Sequence, residues 1–99
     1  MPTLTLEAIR QNPWNVLTHD LPSDPSHLLL RVARLAASYC REAEYMLVLA
    51  IRAGDYVPAG WTGGENDSDA HEASEGRCYE ADDKLTEIDA LFGENEPAG

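Results

Sequence analysis

Basic side chains are scarce in this sequence. Six arginines and one lysine stand against eighteen acids, for a net charge of −11. A chain so negative is repelled by a phosphate backbone and by an anionic bilayer, which excludes direct binding to nucleic acid or to a charged membrane. Its natural counterpart carries positive charge.

Long apolar runs are missing as well. The longest, Tyr45 to Ile51, falls far short of the ~20 residues a membrane-spanning helix needs. The N-terminus lacks the basic stretch and apolar run of a secretory signal. The expectation is a soluble protein of the cytoplasm. Cysteine is limited to Cys40 and Cys78. Both fall within apolar helical patterns, so they are expected as buried free thiols rather than a disulfide.

Site motifs are equally sparse. There is no C-x-x-C or H-x-x-x-H pair to anchor zinc. His71 and Cys78 share one helical face, while His27 and Cys40 lie on another segment. Glu65 to His71 alternates acids like the start of a calcium loop but lacks the glycine and the closing glutamate. The glycines around Trp61 come without the lysine and helix of a phosphate loop. Ser38 with His27, and Cys40 with His71, can be drawn as nucleophile and base, yet all four fall in helical patterns rather than at a nucleophile elbow. No catalytic centre, cofactor or metal is expected.

What the chain does have is one strong helix. From His27 to Gly54 there is no proline and no internal glycine. Leu28, Val32, Leu35, Tyr39, Ala43, Met46 and Ala50 recur at steps of three and four, as one face of a helix requires. A second row, Leu29, Ala33, Ala36, Cys40, Leu47 and Ile51, widens the apolar stripe. A stripe this wide suits a helix packed in a globule better than a two-stranded coiled-coil seam. Ser23 or Asp24 is the expected cap, with Pro25 in the first turn. Gly54 is the expected terminator. Arg31, Arg34, Arg41 and Arg52 lie on the polar face, either solvated, paired with the acidic last helix, or paired with an outside carboxylate or phosphate surface.

The flanks complete an all-α domain spanning 1–99. Thr5 caps a short helix to Gln11, and Asn12-Pro13 stops it and starts another turn. Trp14 and Leu17 then staple this N-terminal segment, 1–22, onto the central helix, 23–54. Residues 55–69 are too rich in glycine and proline for a helix. The last helix is expected from Ala70 to Phe92, closed by Gly93, with 94–99 as a tail. Its apolar stripe is Cys78, Ala81, Leu85, Ile88 and Phe92. The two long helices should pack antiparallel as a small bundle.

Charge is distributed very unevenly over this frame. Up to Gly60, six acids meet five bases; from Trp61 onward, twelve acids meet two bases. Glu72, Glu75, Glu80, Asp82, Asp83 and Glu87 crowd the last helix, where like charges one turn apart repel. This predicts a non-enzymatic protein whose acidic face binds a basic surface of a partner, with Trp61 and Tyr79 as aromatic anchors. The partner expected is a nucleic-acid-binding protein or complex. By analogy of size and charge alone, the small acidic anti-restriction and anti-CRISPR inhibitors of phages and mobile elements work in this way. The alternative is a structural or adaptor subunit that associates through apolar surface, including a homodimer built on the central helix.

Overall fold

The computed structural model describes residues 2–58 and 67–95. Four helices occur among these residues: α1 (Leu6–Gln11), α2 (Asn15–Thr18), α3 (His27–Ala53) and α4 (Asp67–Asn95). No strand occurs among the described residues, and no helix is long and apolar enough to cross a membrane. The fold is the all-α bundle the sequence predicts, with α3 packed antiparallel on α4 and the short helices closing a third side.

Local chemistry fixes the helix ends. The Thr5 hydroxyl accepts from the Ala8 amide at 3.1 Å and caps α1. Asn12 leaves the helix, and its side chain accepts from the Trp14 amide at 3.0 Å to launch the next turn. The cap of α3 is Ser26, whose hydroxyl accepts from the Leu29 amide at 3.1 Å, and not Ser23 or Asp24. With α3 starting at His27 the cap position falls on Ser26, and Ser23 and Asp24 stand too far ahead of the first helical amides. Gly54 ends α3 at φ 79°, with the Gly54 amide on the Ile51 carbonyl at 3.1 Å and the Asp55 amide on the Ala50 carbonyl at 2.9 Å. Those two bonds are a Schellman closure, which favours glycine.

α4 is longer than expected. It begins at Asp67 and runs through Gly76 and Gly93 to Asn95. A glycine inside a helix costs only about 1 kcal/mol relative to alanine, too little to end one already under way.

The core lies where α3, α4 and the N-terminal segment meet. Leu4, Ile9, Val16, Leu30, Ala33, Ala37, Cys40 and Ile88 form its centre. Trp14 packs edge-on against Tyr39, centroids 5.5 Å apart, and pins α2 to α3 as its position suggested. The rotation of α3 differs from the expected one. Leu28, Leu35, Tyr39 and Met46 of the first row, expected to be dry, are 55%, 72%, 58% and 58% exposed, while Val32 of that row packs against the core. The second row is buried as expected, through Leu29, Ala33, Ala36, Cys40 and Ile51, and Ala37 joins it. Small side chains let two helix backbones approach, and the bulkier row would hold α4 away.

An outermost clasp completes the fold. Thr3 and Asp20 form an isolated parallel bridge, with the Leu4 amide on the Asp20 carbonyl at 2.7 Å and the Asp20 amide on the Pro2 carbonyl at 3.0 Å. Lys84 of α4 donates to the neighbouring His19 carbonyl at 3.1 Å.

Candidate acidic interaction face

Acids recur along α4 wherever the apolar stripe leaves room, and the antiparallel register sorts them into two rows. Glu75, Asp82 and Asp89 stand seven residues apart, two turns each, so they line one edge of the helix. That edge meets the arginines of α3. Arg34 Nε donates to Asp89 Oδ1 at 2.8 Å, Arg41 pairs with Asp82, and Arg52 lies 3.6 Å from Glu75. Glu75 is further engaged by His71 Nε2 at 3.2 Å and by the Tyr79 hydroxyl at 3.1 Å. The Asp82 carboxylate pushes the Arg41 guanidinium pKa further up, through its hydrogen bond first and its charge second.

Glu75 and Asp82, expected on the partner-binding face, stand instead on the edge that meets α3. Both pair with this chain's own arginines, the arrangement in which the arginine face meets the acidic last helix. Exposed pairs of this kind contribute only about 0–1 kcal/mol each. Three in register fix how α3 and α4 are rotated and aligned.

The second row remains open. Glu72, Glu80, Asp83 and Glu87 are exposed on the outer face of α4. Glu87 is 3.7 Å from Lys84, whereas Glu72, Glu80 and Asp83 take no ion pair among the described residues. Glu80, Asp83 and Glu87 follow one another by three and four positions, which places their Cβ atoms roughly 5–6 Å apart. Tyr79 borders this row and is 61% exposed. Its hydrogen bond to Glu75 pushes its phenol pKa up, so the ring offers a neutral face beside the carboxylates. Trp61 lies outside the described residues.

Cys40 is buried, and burial with the nearby Glu44 charge pushes its thiol up to about 11. Cys78 is raised by burial first and Glu44 second, and its thiol donates to the Arg41 carbonyl at 3.6 Å. Both cysteines are free. His27 and Ser38 line opposite ends of an open cleft of about 480 Å³ with Arg31, Arg34, Asp89 and Phe92. Three helical turns separate them, roughly 16 Å, beyond the reach of a base to its nucleophile. His27 instead packs edge-on against Phe92 at 5.2 Å. Among the described residues no three His, Cys, Asp or Glu side chains gather as a metal site would require.

Sequence reasoning missed one buried ionic centre. Glu44 of α3 accepts from Trp14 Nε1 at 2.8 Å and pairs with Arg77 of α4. The only sequence signal was an acid standing in line with the small buried row. No family model, curated protein or solved structure matches this chain.

Proposed function

We propose that the protein acts without catalysis, in the cytoplasm, by presenting the outer face of α4 to a basic surface on another macromolecule. The observation that carries this reading is the division of the acids. Glu75, Asp82 and Asp89 are consumed within the fold, yet Glu72, Glu80, Asp83 and Glu87 remain outside beside an exposed tyrosine. Solubility alone does not require like charges on successive turns, where they repel. A fixed row of carboxylates suits a groove lined with arginine and lysine, such as the channel of a nucleic-acid-binding complex. Occupation of that channel would exclude the nucleic acid, in the manner of anti-restriction and anti-CRISPR inhibitors.

Reversal of the open row tests the reading. Glu72, Glu80, Asp83 and Glu87 changed together to Lys should remove the proteins retained from host lysate at about 50 mM salt, with helicity preserved. Asp89→Asn, which alters only the paired row, should retain them. Capture that survives both the reversal and about 500 mM salt would refute it, because screening must weaken a contact made by exposed charge.

A further inference from the structure

α3 carries two apolar faces, and α4 covers only one. On the other, Leu28, Val32, Leu35, Tyr39, Glu42, Met46, Leu49 and Ala53 follow by alternating steps of four and three, with Val32 at its core-packed edge and one side of Tyr39 against Trp14. That alternation is the 3.5-residue repeat with which a helix lies along another helix. Leu28, Leu35, Tyr39, Met46 and Leu49 are all exposed large apolar side chains. Single exposed apolar residues need no explanation, but a continuous row along one helix marks a contact surface.

Charge identifies what covers it. Within the row stands one acid, Glu42, and beside it one base, Arg31; both are exposed, and the Glu42 charge acts within the chain only on neighbouring Arg41 among the described residues. A foreign cationic helix would satisfy Glu42 and repel Arg31, and an acidic one would do the reverse. A second copy of this chain supplies both counterparts. Laid parallel, it would stack Glu42 on Glu42. Laid antiparallel with Leu35 opposite Tyr39, it sets Leu28 opposite Met46 and brings Glu42 beside Arg31 twice, once on each side of the two-fold axis. The same register brings Tyr45, also exposed, over Arg31 of the other copy. The acidic α4 helices are then outermost, which keeps two chains of net charge −11 apart where they repel most.

We infer that the protein pairs with itself through this face of α3, antiparallel, with Glu42 of each copy against Arg31 of the other. The seam from Leu28 to Met46 is roughly 27 Å long. If Leu28, Leu35, Tyr39, Tyr45 and Met46 each lose on the order of 100 Å², two copies bury roughly 1,000 Å², the lower bound for a specific contact. The dimer is accordingly modest in affinity and leaves the outer face of α4 free.

Sedimentation of the full chain over roughly 1–200 μM, where so small an interface associates, should show a monomer–dimer transition. Leu35→Glu places a charge in the seam and should weaken association at least about tenfold, with helicity unchanged. Arg31→Glu and Glu42→Arg should each weaken it, and the two combined should restore it. Ser38→Cys, beside the two-fold axis, should cross-link under oxidation above the wild-type background, and Leu49→Cys should not. A chain monomeric throughout that range overturns the proposal. So does a dimer indifferent to Leu35→Glu, or equal cross-linking by Leu49→Cys.

Discussion

The indole nitrogen of Trp14 lies 2.8 Å from a carboxylate oxygen of Glu44, thirty residues further along the chain. Arg77 of α4 pairs with the same oxygen, so one buried acid ties the N-terminal segment, α3 and α4 together. The second oxygen, Oε1, has no hydrogen bond among the described residues. Glu44→Ala should lower stability by about 2 kcal/mol in urea unfolding, since it leaves the indole N–H without its acceptor and opens a void, while the Arg77 guanidinium stays partly solvated. Glu44→Gln keeps one acceptor and should cost less. A loss below about 1 kcal/mol for the alanine variant would show that the pairing only decorates the interface.

The rotation of α3 has a direct thermodynamic test. Leu30 is fully buried and Leu35 is 72% exposed. In the dilute monomer, Leu30→Ala should cost about 3 kcal/mol and Leu35→Ala less than about 0.5 kcal/mol. Equal losses at the two positions would place the wrong face inward.

Two glycines should respond to alanine with opposite signs. Gly76 lies within α4, and a Cβ there meets nothing within 4 Å. Gly76→Ala should raise stability by about 0.5–1 kcal/mol. At Gly54 there is also room, but φ is +79°. Gly54→Ala should lower stability by about 1 kcal/mol through backbone strain alone. Thermal melts of the two variants should move apart.

The buried thiol predicts a loss of stability in alkali. Cys40 is raised from 9.0 to about 11 on folding. Below pH 9 the thiol is protonated in both states and its contribution is intact. Between 9 and about 11 the unfolded chain releases a proton that the folded chain keeps, so stability falls as pH rises. Urea midpoints measured across this window should decline less steeply in Cys40→Ala. At pH 8 a thiol reagent should label half-buried Cys78 before Cys40, and Cys40 only on unfolding.

Much of this architecture is legible without coordinates. Thr5, Gly54 and the Cys78 to Phe92 stripe specify helix ends and a face by chemistry local to the chain. The outward turn of the Leu28 row is not legible in that way. Periodicity finds apolar rows, but choosing between two adjacent ones depends on how closely a second helix comes. Hydropathy favours the bulky row, whereas close approach selects Ala33, Ala37 and Cys40. The sorting of the acids is hidden for a similar reason. Arg34, Arg41 and Arg52 meet Asp89, Asp82 and Glu75 only once an antiparallel register exists, so acids alike in sequence acquire different fates. Glu44 reads as a solvated helix acid until the indole and the guanidinium arrive from distant segments.

Leu4 is among the largest side chains fully enclosed by the protein, yet it belongs to no helix. Its seat depends on the pairing of Thr3 with Asp20. The opening residues therefore act as a latch rather than a trailing end. Nicking the backbone between Leu4 and Asp20 should unseat that leucine and loosen α1 and α2 together, so protease resistance in this short segment reports on the integrity of the whole bundle.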